Sequence, residues 1–111
     1  MSEEMNICMA SEVNYPTFFC LDHYVSSSST PECLPSQFVP DGRELLIKAK
    51  PGNQGNIYIG SSRGEASSKN FTLQPNESLS LLIEDANLVW VSVDVDGDGV
   101  EYSCEDILED E

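Results

Sequence analysis

Basic residues are scarce in this chain. Five Lys and Arg stand against 20 Asp and Glu in 111 residues, for a formal net charge of -15. A phosphate backbone repels such a surface, so no nucleic-acid partner is expected. An anionic membrane face is repelled as well. Long apolar runs are also missing. None approaches the roughly 18 residues that a membrane-spanning helix needs. The opening stretch, "MSEEMNICMASE", is acidic and lacks the apolar core of a secretory signal.

Metal-ligand spacing is absent too. The four cysteines, Cys8, Cys20, Cys33 and Cys104, include no C-x2-C pair, and His23 is the single histidine. Reduced thiols in a cytosolic product are the expectation, rather than disulfides or a zinc site. A nucleophile–base pair would have to use His23, which sits in the strand-like run "FFCLDHYV". No phosphate-binding loop and no dinucleotide fingerprint occurs. The chain is therefore expected to be no enzyme and to need no cofactor. Asn70-Phe71-Thr72 and Asn76-Glu77-Ser78 match the glycosylation acceptor pattern but are read as incidental without a secretory route.

What the chain does contain is alternation. "RELLIKAK" sets Leu45, Ile47 and Ala49 on one face, and "NIYIG" sets Ile57 and Ile59. "SLSLLIE" sets Leu79, Leu81 and Ile83, "LVWVSVDV" sets Val89, Val91, Val93 and Val95, and "VEYSC" sets Val100, Tyr102 and Cys104. Period two marks half-buried antiparallel strands. Gly-, Pro- and Ser-rich clusters separate them. Pro31, Pro35 and Pro40 exclude a helix from the segment after "FFCLDHYV" and leave room for one edge strand. The expected fold is all-β: an antiparallel β-sandwich or jelly-roll-like barrel of about seven short strands. Residues 1–15 read as an extended N-terminal arm and residues 16–111 as the sandwich domain.

Some apolar residues fall on the second face of these strands. Leu46 lies opposite Leu45 and Ile47, Leu82 opposite Leu81 and Ile83, and Trp90 opposite the valines. These three are the candidate interaction residues, to be covered by self-association or by the arm.

"DVDGDGVEYSCE", residues 94–105, fits a calcium-loop pattern, with Asp94, Asp96, Asp98 and Glu105 at ligand positions. The flanks argue against it. "LVWVSVD" is strand chemistry where a helix would be needed, and Glu101 occupies the position that an aliphatic residue normally fills. The favoured reading is a β-hairpin turning at about residues 96–99, with positive φ at Gly99. No metal is assigned, and the calcium loop stays as the alternative.

One longer stretch resembles a known family. "LPSQFVPDGRELLIKAKPGNQGNIYIGSS", followed by "FTLQPNESLSLLIEDANLVWVSVDVDGDGVEYSCE", is similar to a module of small virion structural proteins of tailed bacteriophages, of the capsid decoration (cement) type. The likeness spans about residues 34–105 and lies in the order and spacing of ordinary strand and turn pieces. It implies a sandwich that binds the outer face of the major capsid protein or another virion protein, on the capsid surface, after synthesis in the bacterial cytoplasm. It also implies a homo-oligomer, with a trimer ahead of a dimer. The alternative is a tail-fibre or baseplate-associated β-sandwich binding module.

Overall fold

The computed structural model describes the backbone of residues 16–107 and the side chains of residues 19–104. The arm, residues 1–15, and Cys8 within it lie outside the described residues. Eight strands are present among them: β1 (Pro16–Tyr24), β2 (Glu32–Cys33), β3 (Leu45–Ala49), β4 (Ile57–Gly60), β5 (Thr72–Leu73), β6 (Ser78–Leu81), β7 (Trp90–Val93) and β8 (Gly99–Ile107). One short helix, α1 (Arg63–Ser67), and one 3-10 turn (Ala86–Leu88) interrupt them.

The strands form two four-stranded antiparallel sheets, ordered β1-β8-β3-β6 and β2-β7-β4-β5. This is the order of a jelly roll. Its logic is that of one long hairpin, β1·β8, β2·β7, β3·β6 and β4·β5, rolled up so that alternate lengths enter opposite sheets. The register shows the continuity. Pro16 pairs with Ile107 and Tyr24 with Gly99, and Cys33 with Trp90 continues that count without a slip. Only β4 and β5 are both consecutive and hydrogen-bonded neighbours.

The core fills the space between the sheets. Leu45, Ile47 and Ala49 of β3, Ile57 and Ile59 of β4, Val91 and Val93 of β7, and Val100, Tyr102 and Cys104 of β8 are all buried in it. Val25, Leu34, Val39, Leu73, Ala86 and Val89 come from strand ends and connections. Phe19, Leu79, Leu81 and Ile83 are partly buried against it. The alternation in the sequence thus becomes two apolar faces meeting, as a sandwich requires.

The hairpin expected at residues 89–104 is not formed. β7 and β8 belong to opposite sheets, and residues 94–98 cross the roughly 10 Å between sheets. Two strands whose valine faces are both apolar bury more by facing each other across the core than by lying side by side. The positive φ expected at Gly99 is also corrected: it falls on Gly97, at 90°. Gly99 opens β8 and is constrained by packing instead. A Cβ there would collide with the carbonyl oxygen of His23 and lie 2.9 Å from Tyr24 Cα.

The outer face of the second sheet is covered by α1. Ser62 caps the helix, its side chain accepting from the Glu65 backbone N–H. Ala66 is fully buried and packs over Gly60, where a Cβ would come within 2.5 Å of the Ala66 nitrogen. Arg63 lies 5.2 Å from the centre of the Trp90 ring, and Lys69 lies 5.2 Å from that of Tyr58. On the first sheet, Lys50 bonds Asp22 at 2.9 Å and Glu101 at 3.3 Å. These carboxylates, Asp22 foremost, raise its pKa.

Candidate functional site

The segment 36–43 is held on the outside of the sandwich by one carboxylate. Asp85 accepts from the Gln37 N–H at 2.9 Å, the Ser36 hydroxyl at 3.0 Å and the Asn87 N–H at 3.0 Å. Its pKa is lowered, first by the Asn87 and then by the Gln37 backbone bond. The backbone N–H of Val39 donates to Glu84 at 2.9 Å and that of Ala86 to Gln37 at 3.0 Å. The next turn, Pro40-Asp41-Gly42-Arg43, closes with the Arg43 N–H on the Pro40 carbonyl at 3.0 Å. Gly42 takes φ of 81° there, as the third residue of a type II turn must.

These constraints build a groove. Phe38, Val39, Pro40 and Arg43 form one wall, and Leu82, Ile83, Glu84 and Leu88 the other. The hollow is about 720 Å³ and open to solvent. Phe38 is 66% exposed, Leu82 70% and Leu88 47%. Three large apolar side chains around one hollow at the end of a small sandwich mark a contact surface. Arg43, on its rim, has no ion-pair partner among the described residues.

Of the candidate interaction residues, Leu82 belongs to this groove. Leu46 is 40% exposed on the outer face of the first sheet, flanked by Ser80 and Ser103. Trp90 is half-buried beneath Arg63 of α1, so neither an oligomer nor the arm is needed to cover it. Sequence reasoning missed Phe38 and Leu88. Both lie in irregular segments, where no alternation tells inside from outside. It also passed over α1, whose signal was the Ser62-x-x-Glu65 capping pattern.

The three aspartates of the calcium pattern face different partners. Asp94 accepts from the Tyr58 hydroxyl at 2.8 Å and from Lys69 at 3.3 Å. Its pKa is lowered, chiefly by Tyr58. Asp96 accepts from the Ser28 N–H at 2.6 Å. Asp98, 7% exposed, accepts from the Gly55 N–H at 2.9 Å and the Gln54 N–H at 3.1 Å. Glu105 lies in β8, and its side chain is outside the described residues. Among the described residues no group of three His, Cys, Asp or Glu is placed to share a metal ion.

His23 bonds Glu32 at 2.9 Å, tying β1 to β2 where the two sheet edges meet. The hydroxyl of Ser26 goes to the same carboxylate, at 3.3 Å, and not to the imidazole. Cys20 and Cys33 are exposed free thiols, and Cys104 is buried.

No family model matches the chain, and no curated protein or solved structure matches it.

Proposed function

We propose that this chain is a non-enzymatic structural protein of a bacteriophage virion, of the head decoration type, which binds the major capsid protein and stabilises the shell. The resemblance over residues 34–105 supports the family. The observation that carries the docking role is the exposed apolar groove of Phe38, Leu82 and Leu88, three large apolar side chains gathered around one hollow of an acidic sandwich. A jelly roll with internally bonded loops is a rigid plug that needs no chemistry to function. Repeated on a lattice, and assembled with copies of itself as a trimer ahead of a dimer, it turns modest contacts into firm attachment.

Immunogold labelling of purified virions tests this. Label over the heads is the expected result. Label confined to the tail favours the tail-fibre or baseplate reading, and virions free of the protein remove both.

A further inference from the structure

β1 is an open edge of the first sheet. It pairs with β8 alone and runs nine residues, Pro16–Tyr24. The other sheet edges are shorter: β6 has four residues, and β2 and β5 have two each. Edge strands are usually guarded by a bulge, a mid-strand proline or an exposed lysine. β1 has none of these. Its register with β8 runs from Pro16 to Tyr24 without a slip. Its proline stands at the start, and it holds no Lys or Arg.

The ladder decides which backbone groups are left over. Pairs along an antiparallel ladder alternate between bonded and open. The Val25 N–H donates to the Asp98 carbonyl at 2.9 Å, one step past Tyr24 and Gly99 in the same count. Across β8, the Lys50 N–H donates to the Gly99 carbonyl at 3.1 Å, so Gly99, Glu101 and Ser103 turn to β3. Phe19, Leu21 and His23 therefore bond β8. The N–H and C=O groups of Cys20, Asp22 and Tyr24 point away from the sheet. The side chains there are open too: Leu21 is 38% exposed and Tyr24 54%. In so acidic a chain, β1 carries one formal charge, Asp22. Asp22 bonds Lys50 at 2.9 Å, which Glu101 shares at 3.3 Å. His23 is held by Glu32.

A second copy offers the matching strand. Turned about a two-fold axis, its β1 runs antiparallel and presents the same outward groups. Three registers bring those groups together. With Asp22 against Asp22, like charges are opposed. With Cys20 against Cys20, Tyr24 meets Pro16, which has no N–H to give. With Leu21 on the axis, Cys20 of each copy meets Asp22 of the other, and both faults vanish. The two Asp22 carboxylates are then diagonal neighbours, each on its own Lys50. The two Leu21 side chains meet at a non-bonded pair, where side chains come closest.

We infer that two copies of the free protein join through β1 about a two-fold axis at Leu21, making one eight-stranded sheet from two of four strands. The pairing closes at two copies, because each uses its one β1. It leaves the opposite edge, β6, uncovered. The inference stands apart from the virion reading, whose resemblance ranks a trimer first.

Sedimentation equilibrium of the full chain under reducing conditions should find dimers. Cys20→Pro removes an outward N–H and leaves the ladder to β8 whole. It should weaken dimerisation by roughly tenfold or more, since two hydrogen bonds are lost across the axis, with Trp90 emission unchanged. A second measurement places Leu21→Cys in a chain with Cys8→Ser, Cys20→Ser and Cys33→Ser. Mild oxidation should link two copies through position 21. Leu46→Cys in the same background, exposed on the outer face of β3, should not link. A monomer at high concentration, a trimer, dimerisation indifferent to Cys20→Pro, or equal linking through positions 21 and 46 each overturns the inference.

Discussion

Asp98 receives the backbone N–H of Gly55 at 2.9 Å, so one carboxylate at the mouth of β8 holds the loop after β3. Around it, Asn53 bonds both the Gly99 N–H, at 3.0 Å, and the Gly99 carbonyl, at 2.8 Å. The aspartate-glycine repeat that looks like a cation loop is a clamp between two connections at one end of the sandwich.

Removing that clamp should cost stability. Asp98→Ala leaves the Gln54 and Gly55 N–H groups without their acceptor, and a loss of about 2–3 kcal/mol is expected. Asp98→Asn keeps an acceptor oxygen and should lose less. Urea unfolding of both variants checks the order.

Gly97 and Gly99 should fail differently. Gly97→Ala meets no atom within 4 Å and bears only the left-handed backbone cost, about 1–2 kcal/mol. Gly99→Ala drives a methyl group into the backbone of β1 at His23 and should cost about 2–3 kcal/mol. It should also speed hydrogen exchange along β1, where Gly97→Ala should not. Equal exchange profiles would contradict the close approach.

Calcium should have little effect. Asp94, Asp96 and Asp98 are committed to Tyr58, Ser28 and Gly55. Calorimetric titration is expected to show no tight site, and the thermal midpoint should be the same with calcium and with chelator. A tight site lost in Asp94→Asn and Glu105→Gln would reverse this reading.

Acid should weaken the fold through Asp94. Its folded pKa is lowered, first by the Tyr58 hydroxyl bond. The stabilisation is therefore complete above the ordinary carboxylate range and is lost as pH falls through the depressed value. Asp85 adds a contribution of the same sign through its bond from Asn87. Unfolding free energy followed from about pH 5 to pH 2 should decline, and Asp94→Asn should flatten part of that slope. An unchanged slope would remove Asp94 as a contributor.

Trp90, the single tryptophan, reports on the cover of the second sheet. Gly60→Ala places a methyl group 2.5 Å from the Ala66 nitrogen and should lift α1. The Trp90 emission should shift to the red, with a destabilisation of about 1–3 kcal/mol.

β3 and β8 were legible because burial on one face writes period two into them, whereas β4 and β7 are buried on both faces and were legible from the alternation of residue type alone. The pairing was not legible. Whether Val93 and Val100 sit side by side or face to face depends on which loop locks the crossing, and Asn53 and Asp98 carry no periodic mark. Two-residue strands such as β2 and β5 are too short for any pattern, and β2 is fixed by its neighbours Trp90 and Val91. The groove was half legible. Leu82 breaks the alternation of β6 and could be singled out, whereas Phe38 follows a proline-rich stretch without a period.

β8 lies between β1 and β3, and that position dictates an order of events at the ribosome. Until residues 99–107 have been made, β1 has no neighbour and the first sheet cannot close. The inner hairpin, β4·β5, needs only a short loop, and each outer pair must enclose a longer one, with a rising entropic cost. A nascent chain therefore carries Phe19, partly buried against the core of the finished fold, unsheltered through nearly the whole of its synthesis. The steep acidity of the sequence keeps such half-made chains apart by mutual repulsion, long before the finished protein has a surface to present.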